Sequence, residues 1–405
     1  MPKAHNRLLK NVGFLSVLQI FNYVAPLLLL PYLTRVLPVE EFGAVMVAMA
    51  SVMLVFVLTD YGFSLSATYR ISQNRDDKNY INKLISQIFT AKIFLTATAL
   101  IALFAISILP SFYEYRYIFW SGSIAVIAQA YQPIWLFQGL ENMKYFVIYM
   151  VMTKIFYVAL ALILVSEPGD GLWVLGSWSV SNLVGALTAL FMLKKQGFEI
   201  SLSSISQAWL ELKESAQFFW SRVAVAFYTS ASSIIVGTAG LHQAAMYSSA
   251  EQGYKAGQAV TTSITQAMYP YMAKEKNWAV FYKVLFSICL IMALGALIVG
   301  NFSVFFITFI FGENYKEAAG VLVIMMITLV INFLGVSFGY PALGALDKVE
   351  WANKTVIWAS FLFCLIAIVL YLNDEINAIN IALLVLVTEL FVLMVRSFLI
   401  YVKLR

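Results

Sequence analysis

The chain has 405 residues, 61% of them hydrophobic and 12% charged, with a mean hydropathy of +0.83 and a formal net charge of +5. Soluble domains carry about 25% charged residues, so the composition excludes a water-soluble globular protein and leaves a polytopic membrane protein. The two cysteines, Cys289 and Cys364, sit inside apolar runs, which points to packing rather than to a disulfide or a metal site.

The first ten residues are basic and no small-residue cleavage site follows them, so they read as the lead-in to a first span and not as a signal peptide. Apolar runs long enough to cross ~30 Å of hydrocarbon fall at 11–34, 42–66, 84–109, 117–138, 145–165, 172–193, 216–239, 243–272, 278–300, 318–341, 354–372 and 378–400. The expected fold is therefore an all-α integral membrane protein of twelve transmembrane helices. In the first span Ser16, Gln19, Tyr23 and Pro26 follow helical spacing, and Pro26 and Pro31 predict a bend, because each lacks a backbone donor. The fourth carries Gln129, Gln132 and Gln138 around Pro133, and the tenth has Gly335 and Gly339 near its end as a second place to bend.

Loop charge sets the orientation. Loops on the N-terminal side, from Lys3, Arg7 and Lys10 through Arg70, Arg75 and Lys78 to Lys274, Lys276 and Lys348, hold most of the 26 Lys and Arg; the opposite loops hold only Arg35, Arg116 and Lys316. By the positive-inside rule both termini are cytosolic. The outer loops are short and acidic, with Glu40-Glu41, Glu167 and Asp170 among them. The longest loop, about 194–215, carries Trp209, Leu210 and Leu212 among charges, the pattern of a short interfacial helix. It divides the chain into residues 1–195, a linker 196–215, and residues 216–405, six spans on each side. With an even number of spans per half, an internal repeat would be parallel.

No loop is long enough to hold a folded domain, and no phosphate-cradling glycine loop, zinc-protease motif or nucleophile elbow is present. His5 and His242 fit solvated surface positions. Nothing in the chain calls for a cofactor, a metal or a nucleic acid. A membrane glycan polymerase or ligase would need a sizeable outer loop, which leaves a transporter as the leading class.

Six cations remain inside spans, Lys92, Lys154, Arg222, Lys255, Lys283 and Arg396, against three anions, Asp60, Glu251 and Glu389. Lys283 and Arg396 lie near the cytosolic ends, where long stems snorkel to the headgroups. Asp60 suits a helix-end group or a gate. The eighth span places Glu251, Lys255, Gln258, Thr262, Thr265, Gln266 and Tyr269 within ~60° of one line on a helix. An ionised group facing lipid costs at least ~2.5–3.5 kcal/mol, so the stripe faces a partner helix or water. Glu251 and Lys255, spaced i, i+4, can neutralise each other; the cations left over need water or a bound anion. In the seventh span Arg222, Thr229 and Ser233 share a face. Hydroxyls and amides such as these suit sugar hydroxyls, and they serve equally as interhelix bonds.

Several segments together resemble the polysaccharide (O-antigen type) flippases of the multidrug/oligosaccharidyl-lipid/polysaccharide exporter superfamily. They are Asn11-Val-Gly-Phe-Leu-Ser-Val-Leu-Gln19, Leu30-Pro-Tyr-Leu-Thr-Arg-Val-Leu37, Glu41-Phe-Gly43, Asp60-Tyr-Gly-Phe-Ser-Leu-Ser-Ala-Thr68 and Arg70-Ile-Ser-Gln-Asn-Arg-Asp76. Further on come Pro133-Ile-Trp-Leu-Phe-Gln-Gly-Leu-Glu-Asn-Met-Lys144, Tyr254-Lys-Ala-Gly-Gln258 and Gln266-Ala-Met-Tyr-Pro-Tyr271. The resemblance implies two six-helix bundles in a V-shaped, alternating-access transporter of the bacterial inner membrane. It implies as substrate an undecaprenyl-diphosphate-linked oligosaccharide carried from the cytosolic to the periplasmic leaflet. On this reading Lys92, Lys154, Arg222, Lys255, Gln258, Thr262 and Gln19 bind substrate, and Asp60 and Glu251 gate or couple to a proton or sodium ion. Membrane lipids, a polysaccharide polymerase and a chain-length regulator are the expected partners. A cation-coupled multidrug exporter of the same superfamily is the alternative; it would be expected to show unpaired intramembrane carboxylates.

Overall fold

A computed structural model describes residues 28–404, without the side chains at 143, 145, 221, 224, 225, 227–229, 403 and 404. Gln19 and the Thr229 side chain therefore lie outside the described residues. Every regular element among those residues is helical. This is the expected outcome for a chain in hydrocarbon, where a helix satisfies its backbone polar groups internally. Eight helical stretches of the described residues are long and apolar enough to cross a membrane.

The chain divides into two compact units, one ending at Ala226 and the other beginning at Phe227. After a helical stretch over 28–36, the first unit contains α1 (Val39–Asp60), α2 (Phe63–Gln73) and α3 (Lys78–Ser107). The fourth predicted span is not one helix. It is α4 (Arg116–Ser121), α5 (Ser123–Ala130) and α6 (Ile134–Gly139); α5 and α6 are separate because Pro133 supplies no backbone donor and pushes Gln132 out of the helical region. Then follow α7 (Met143–Leu164), α8 (Gly171–Lys195) and α9 (Ile205–Thr238), whose last turns, from Phe227, belong to the second unit. Residues 205–215 form the first turns of this 34-residue helix and not a separate one. The Trp209 and Leu210 side chains are exposed, whereas Glu211, among them, is buried and pairs with Arg70, which also meets Glu214 at 2.9 Å.

Phe63, Ala67, Ile71, Ile85, Ile88, Phe89, Trp135 and Leu136 form one packed cluster of this unit. Glu41, expected in an acidic outer loop, is buried; its carboxylate accepts the backbone N–H groups of Gly169 (2.9 Å) and Gly171 (2.6 Å). In the same loop the Ser166 and Glu167 backbone N–H groups hold the Asp170 carboxyl below the usual carboxylate range.

The second unit contains α10 (Leu241–Glu275), α11 (Trp278–Asn301), α12 (Ser303–Phe311), α13 (Ala318–Ser337), α14 (Val349–Leu372) and α15 (Ala378–Leu404). Within α11 only Phe281 and Leu285 are fully buried, so most of this apolar helix lies at the surface of its unit, as a helix facing lipid would. The bend expected near Gly335 and Gly339 is present: α13 passes into a wide π turn over Phe338–Leu343, with Gly339 at ψ −116° and Pro341 inside it. Arg396, expected to snorkel, is instead buried at this bend. It donates to the Gly335 carbonyl (2.7 Å), the Ala352 carbonyl (2.9 Å) and Thr355 Oγ1 (3.0 Å). A guanidinium supplies several donors in one plane, and here they tie the end of α13 to α14 (Val349–Leu372).

The two units repeat one local arrangement. In the first, the break at Pro133 is followed by α6, which ends with Glu141 left-handed at φ 55° and Asn142 N–H on the Phe137 carbonyl at 2.9 Å. In the second, the bend at Pro341 is followed by Asp347 at φ 58° and Lys348 N–H on the Leu343 carbonyl at 2.8 Å. Glu141 then pairs with Arg75 at 2.7 Å and Asp347 with Lys276 at 2.8 Å. Each cation sits one or two residues before an N-cap: Asp77 takes the Tyr80 N–H, and Asn277 takes the Val280 N–H.

Candidate functional site: two polar cavities

Asp60 is the last residue of α1. Tyr61 (φ 48°) and Gly62 (φ 79°) turn the chain left-handed before α2 begins. A side chain at Gly62 would place its Cβ 2.7 Å from Phe218 Cβ, so glycine is required both for the turn and for the close approach of α9. Tyr61 stacks on Phe219 with ring centroids 4.4 Å apart. One turn beyond Phe218, Arg222 is thereby delivered to the break. Its Nε lies 3.4 Å from Asp60 Oδ2, and its Nη1 donates to Ser64 Oγ at 2.8 Å. Ser64 in turn donates to Asp60 Oδ2 at 3.0 Å.

Lys92 approaches from α3. Its ammonium, only 3% exposed, donates to the carbonyl of Ala130, the last residue of α5. That carbonyl is left over because Pro133 cannot continue the ladder and the Ile134 N–H turns to Gln132. A cation at a helix C-terminus is also favoured by the helix dipole. Gln129, Gln132 and Gln138 flank the same break. Gln129 accepts from Thr59 Oγ1 (3.3 Å), and Gln132 donates to the Asn182 side chain (3.4 Å). These groups line a cavity of about 510 Å³, walled by Phe56, Leu65 and Trp135 among others. Its formal charge is two cations against one carboxylate.

A second, smaller cavity of about 80 Å³ lies within the second unit, bordered by Glu251, Lys255, Gln258, Asn332, Glu389 and Tyr254. Lys255 is paired with Glu251 at 2.8 Å, and Ser233 Oγ donates to the same Glu251 oxygen at 3.3 Å. Gln258 donates to Asn332 at 3.2 Å. Glu389 is buried, so two carboxylates face one ammonium and the formal balance is reversed relative to the first cavity. This volume has room for a few waters.

The structure thus sorts the sequence candidates into three sets. Asp60, Lys92 and Arg222 meet in the large cavity; Glu251, Lys255 and Gln258 meet in the small one. Lys154 and Thr262 line neither: Lys154 has no ion pair among the described residues, and Thr262 hydrogen-bonds to the Gln258 carbonyl of its own helix at 2.7 Å. Lys283 is exposed. The six cations do not form one pool of bare charge, because Arg222 and Lys255 each carry a carboxylate. Sequence reasoning did not single out Ser64, although it stands in the Asp60–Thr68 segment, nor the Arg70–Glu211 pair, whose partners are 141 positions apart.

Residues 8–276 match the family model described as "Polysaccharide biosynthesis protein". The chain belongs to the polysaccharide biosynthesis protein family. Two relatives carry the name "Putative O-antigen transporter". One, from Escherichia coli K12, is 30% identical over 267 residues, covering 64% of each chain, so the chain spans just under two thirds of that relative's length. The other, from Shigella dysenteriae, is 30% identical over 293 residues, 69% of this chain and 73% of the relative. Among solved structures, an inward-facing multidrug resistance MATE family transporter of the MOP superfamily superposes with a TM-score of 0.70 at 15% identity, covering 97% and 98% of the two chains. The lipid II flippase MurJ, in an inward closed conformation, superposes with a TM-score of 0.71 at 12% identity, covering 96% and 87%. This family member therefore has the helical fold of the MOP superfamily and is a multi-pass membrane protein.

Proposed function

We propose that this member of the polysaccharide biosynthesis family is a flippase for an undecaprenyl-diphosphate-linked oligosaccharide of the O-antigen type. It carries its substrate from the cytosolic to the periplasmic leaflet of a bacterial inner membrane, by alternating access of two six-helix halves with both termini cytosolic. The observation that carries the reading is the large cavity: Lys92 and Arg222 for the diphosphate, three glutamines for sugar hydroxyls, and aromatic and aliphatic walls. Its volume lies within the ~300–1,000 Å³ of ligand pockets. A cation excess at bilayer depth is costly unless an anion or water meets it, and guanidinium and ammonium groups suit phosphate oxygens. The O-antigen names of the two relatives support the same substrate class. Lys154, Lys255, Gln258, Thr262 and Gln19 remain assigned to the substrate path, and Glu251 to gating or coupling.

The test is charge removal in cells lacking the native copy. Arg222→Gln and Lys255→Gln should each lower surface polysaccharide at normal protein levels, with lipid-linked units accumulating on the cytosolic leaflet. Wild-type export from both variants overturns the assignment. The second cavity, with Glu251 and Glu389 against Lys255, favours a second reading as a cation-coupled drug exporter. Increased resistance to cationic dyes on expression would support that reading, and unchanged resistance would remove it.

A further inference from the structure

We propose that Asp60 is a resident substitute for the anionic headgroup, holding Arg222 directly and through Ser64 when the cavity is empty and competing with the diphosphate for that guanidinium. This rests on the lipid-diphosphate reading of the large cavity. The three groups are placed by the backbone. Asp60 and Ser64 flank the left-handed break at Tyr61–Gly62, and the contact of Phe218 with Gly62 sets Arg222 one turn away. The contact between them is nevertheless a weak one. Charge-assisted N–H···O pairs close to ~2.7–2.9 Å and are strongest when a guanidinium grips both carboxylate oxygens. Here Nε stands 3.4 Å from one oxygen of Asp60, and the remaining link runs through the Ser64 hydroxyl.

Arg222 keeps 41% of its side chain exposed, and its Nη2 has no acceptor among the described residues. The planar fork is therefore part-used, and its unused edge is available to a phosphate that offers two oxygens. Lys92 behaves differently. It is buried and committed to the Ala130 carbonyl, so it supplies a fixed positive field while Arg222 supplies the exchangeable grip.

Charge gives the arrangement a purpose. Lys92 and Arg222 without a carboxylate would retain a diphosphate tightly. A flippase has to let its headgroup go on the far side, and uniformly tight binding slows that departure. A carboxylate a few ångströms away repels the bound anion and takes over the guanidinium as the headgroup leaves, so neither state exposes a bare cation. Differential affinity is how a ligand and a resident group bias one another's equilibrium.

The experiment uses the full-length protein in lipid nanodiscs, with undecaprenyl diphosphate as probe, comparing wild type, Asp60→Asn, Ser64→Ala and Arg222→Gln. Asp60→Asn should bind at least about tenfold more tightly, as expected when a like charge at a half-exposed site is removed. It should also export less polysaccharide. Ser64→Ala, which keeps the carboxylate but cuts its bridge to Arg222, should tighten binding by a smaller factor. A gain in affinity separates competition from a merely structural role, because structural damage does not produce one. Equal or weaker binding by Asp60→Asn overturns the proposal while leaving the substrate reading intact. If Asp60→Asn does not fold, unchanged affinity in Ser64→Ala overturns it. If wild type binds no probe, or Arg222→Gln binds as well as wild type, the substrate reading itself fails.

Discussion

Lys92 has two roles assigned to it, and one pair of substitutions separates them. Lys92→Met keeps the unbranched stem, ending one bond short of the ammonium, but removes the donor that closes the Ala130 carbonyl at the end of α5. A hydrogen bond from a charged donor contributes about 1.5–3 kcal/mol, and a buried carbonyl left without a partner costs about 1–3 kcal/mol. These are two descriptions of one loss and do not add. Replacing a buried ammonium with a thioether also relieves its desolvation, which offsets part of the loss. The net destabilisation expected is about 1–2 kcal/mol. Lys92→Gln, which ends at the same position as Met, still offers an N–H to the carbonyl and should recover most of that stability without restoring the charge. The assay is thermal unfolding of the purified protein in detergent, alongside surface polysaccharide in cells lacking the native copy. Met should lower both melting temperature and export, whereas Gln should restore the first and not the second. A Met variant that melts like wild type refutes the capping role. A Gln variant that exports like wild type refutes the role of its charge in the cavity.

Gly62→Ala should destabilise the first unit by about 2 kcal/mol or more, since a left-handed non-glycine residue costs of order 1–3 kcal/mol and the new Cβ would lie 2.7 Å from Phe218 Cβ; a melting temperature equal to wild type would show that α9 does not press on the break. Arg75→Glu and Lys276→Glu should each cost under about 1 kcal/mol, as exposed pairs do, but lower export. The charge exchanges Arg75→Glu with Glu141→Arg, and Lys276→Glu with Asp347→Lys, should recover it. Export unchanged in the single variants would mean that the repeated ion pairs do no more than decorate the surface. The Asp170 carboxyl is depressed by two backbone N–H groups, so its contribution to loop order is present above the ordinary carboxylate range of about 3.9 and is lost as pH falls through its lower folded value. Amide exchange at Ser166 and Glu167 should therefore be slow and uncapped only in strong acid; opening between pH 5 and 7 would contradict the hydrogen-bonded loop.

The pattern of apolar runs was enough to read most helices, because a backbone in hydrocarbon has little choice but to close its own hydrogen bonds. The bend near Gly339 was legible for the same local reason. The break of the fourth span was only half legible. Pro133 was visible, but whether a proline kinks a helix or ends it depends on what satisfies the carbonyls behind it, and here that group is Lys92, on another helix. The repeat between the units is not legible in the sequence, because it resides in left-handed residues and ion pairs. Its marker prolines stand eight residues before Glu141 and six before Asp347, so no fixed offset aligns them.

Composition and periodicity determined by themselves that this chain is a helical, many-span membrane protein with charges it cannot leave in lipid. Tertiary packing decided what each charge meets. It put Arg396 on the Gly335 and Ala352 carbonyls, set Arg222 against Asp60, and divided a single apparent excess of positive charge into a cationic cavity and a formally anionic one. The reason is one of range. A helix period is written in neighbouring residues, whereas an ion pair joins residues as distant as Asp60 and Arg222, and only the folded chain fixes which partner lies within a few ångströms.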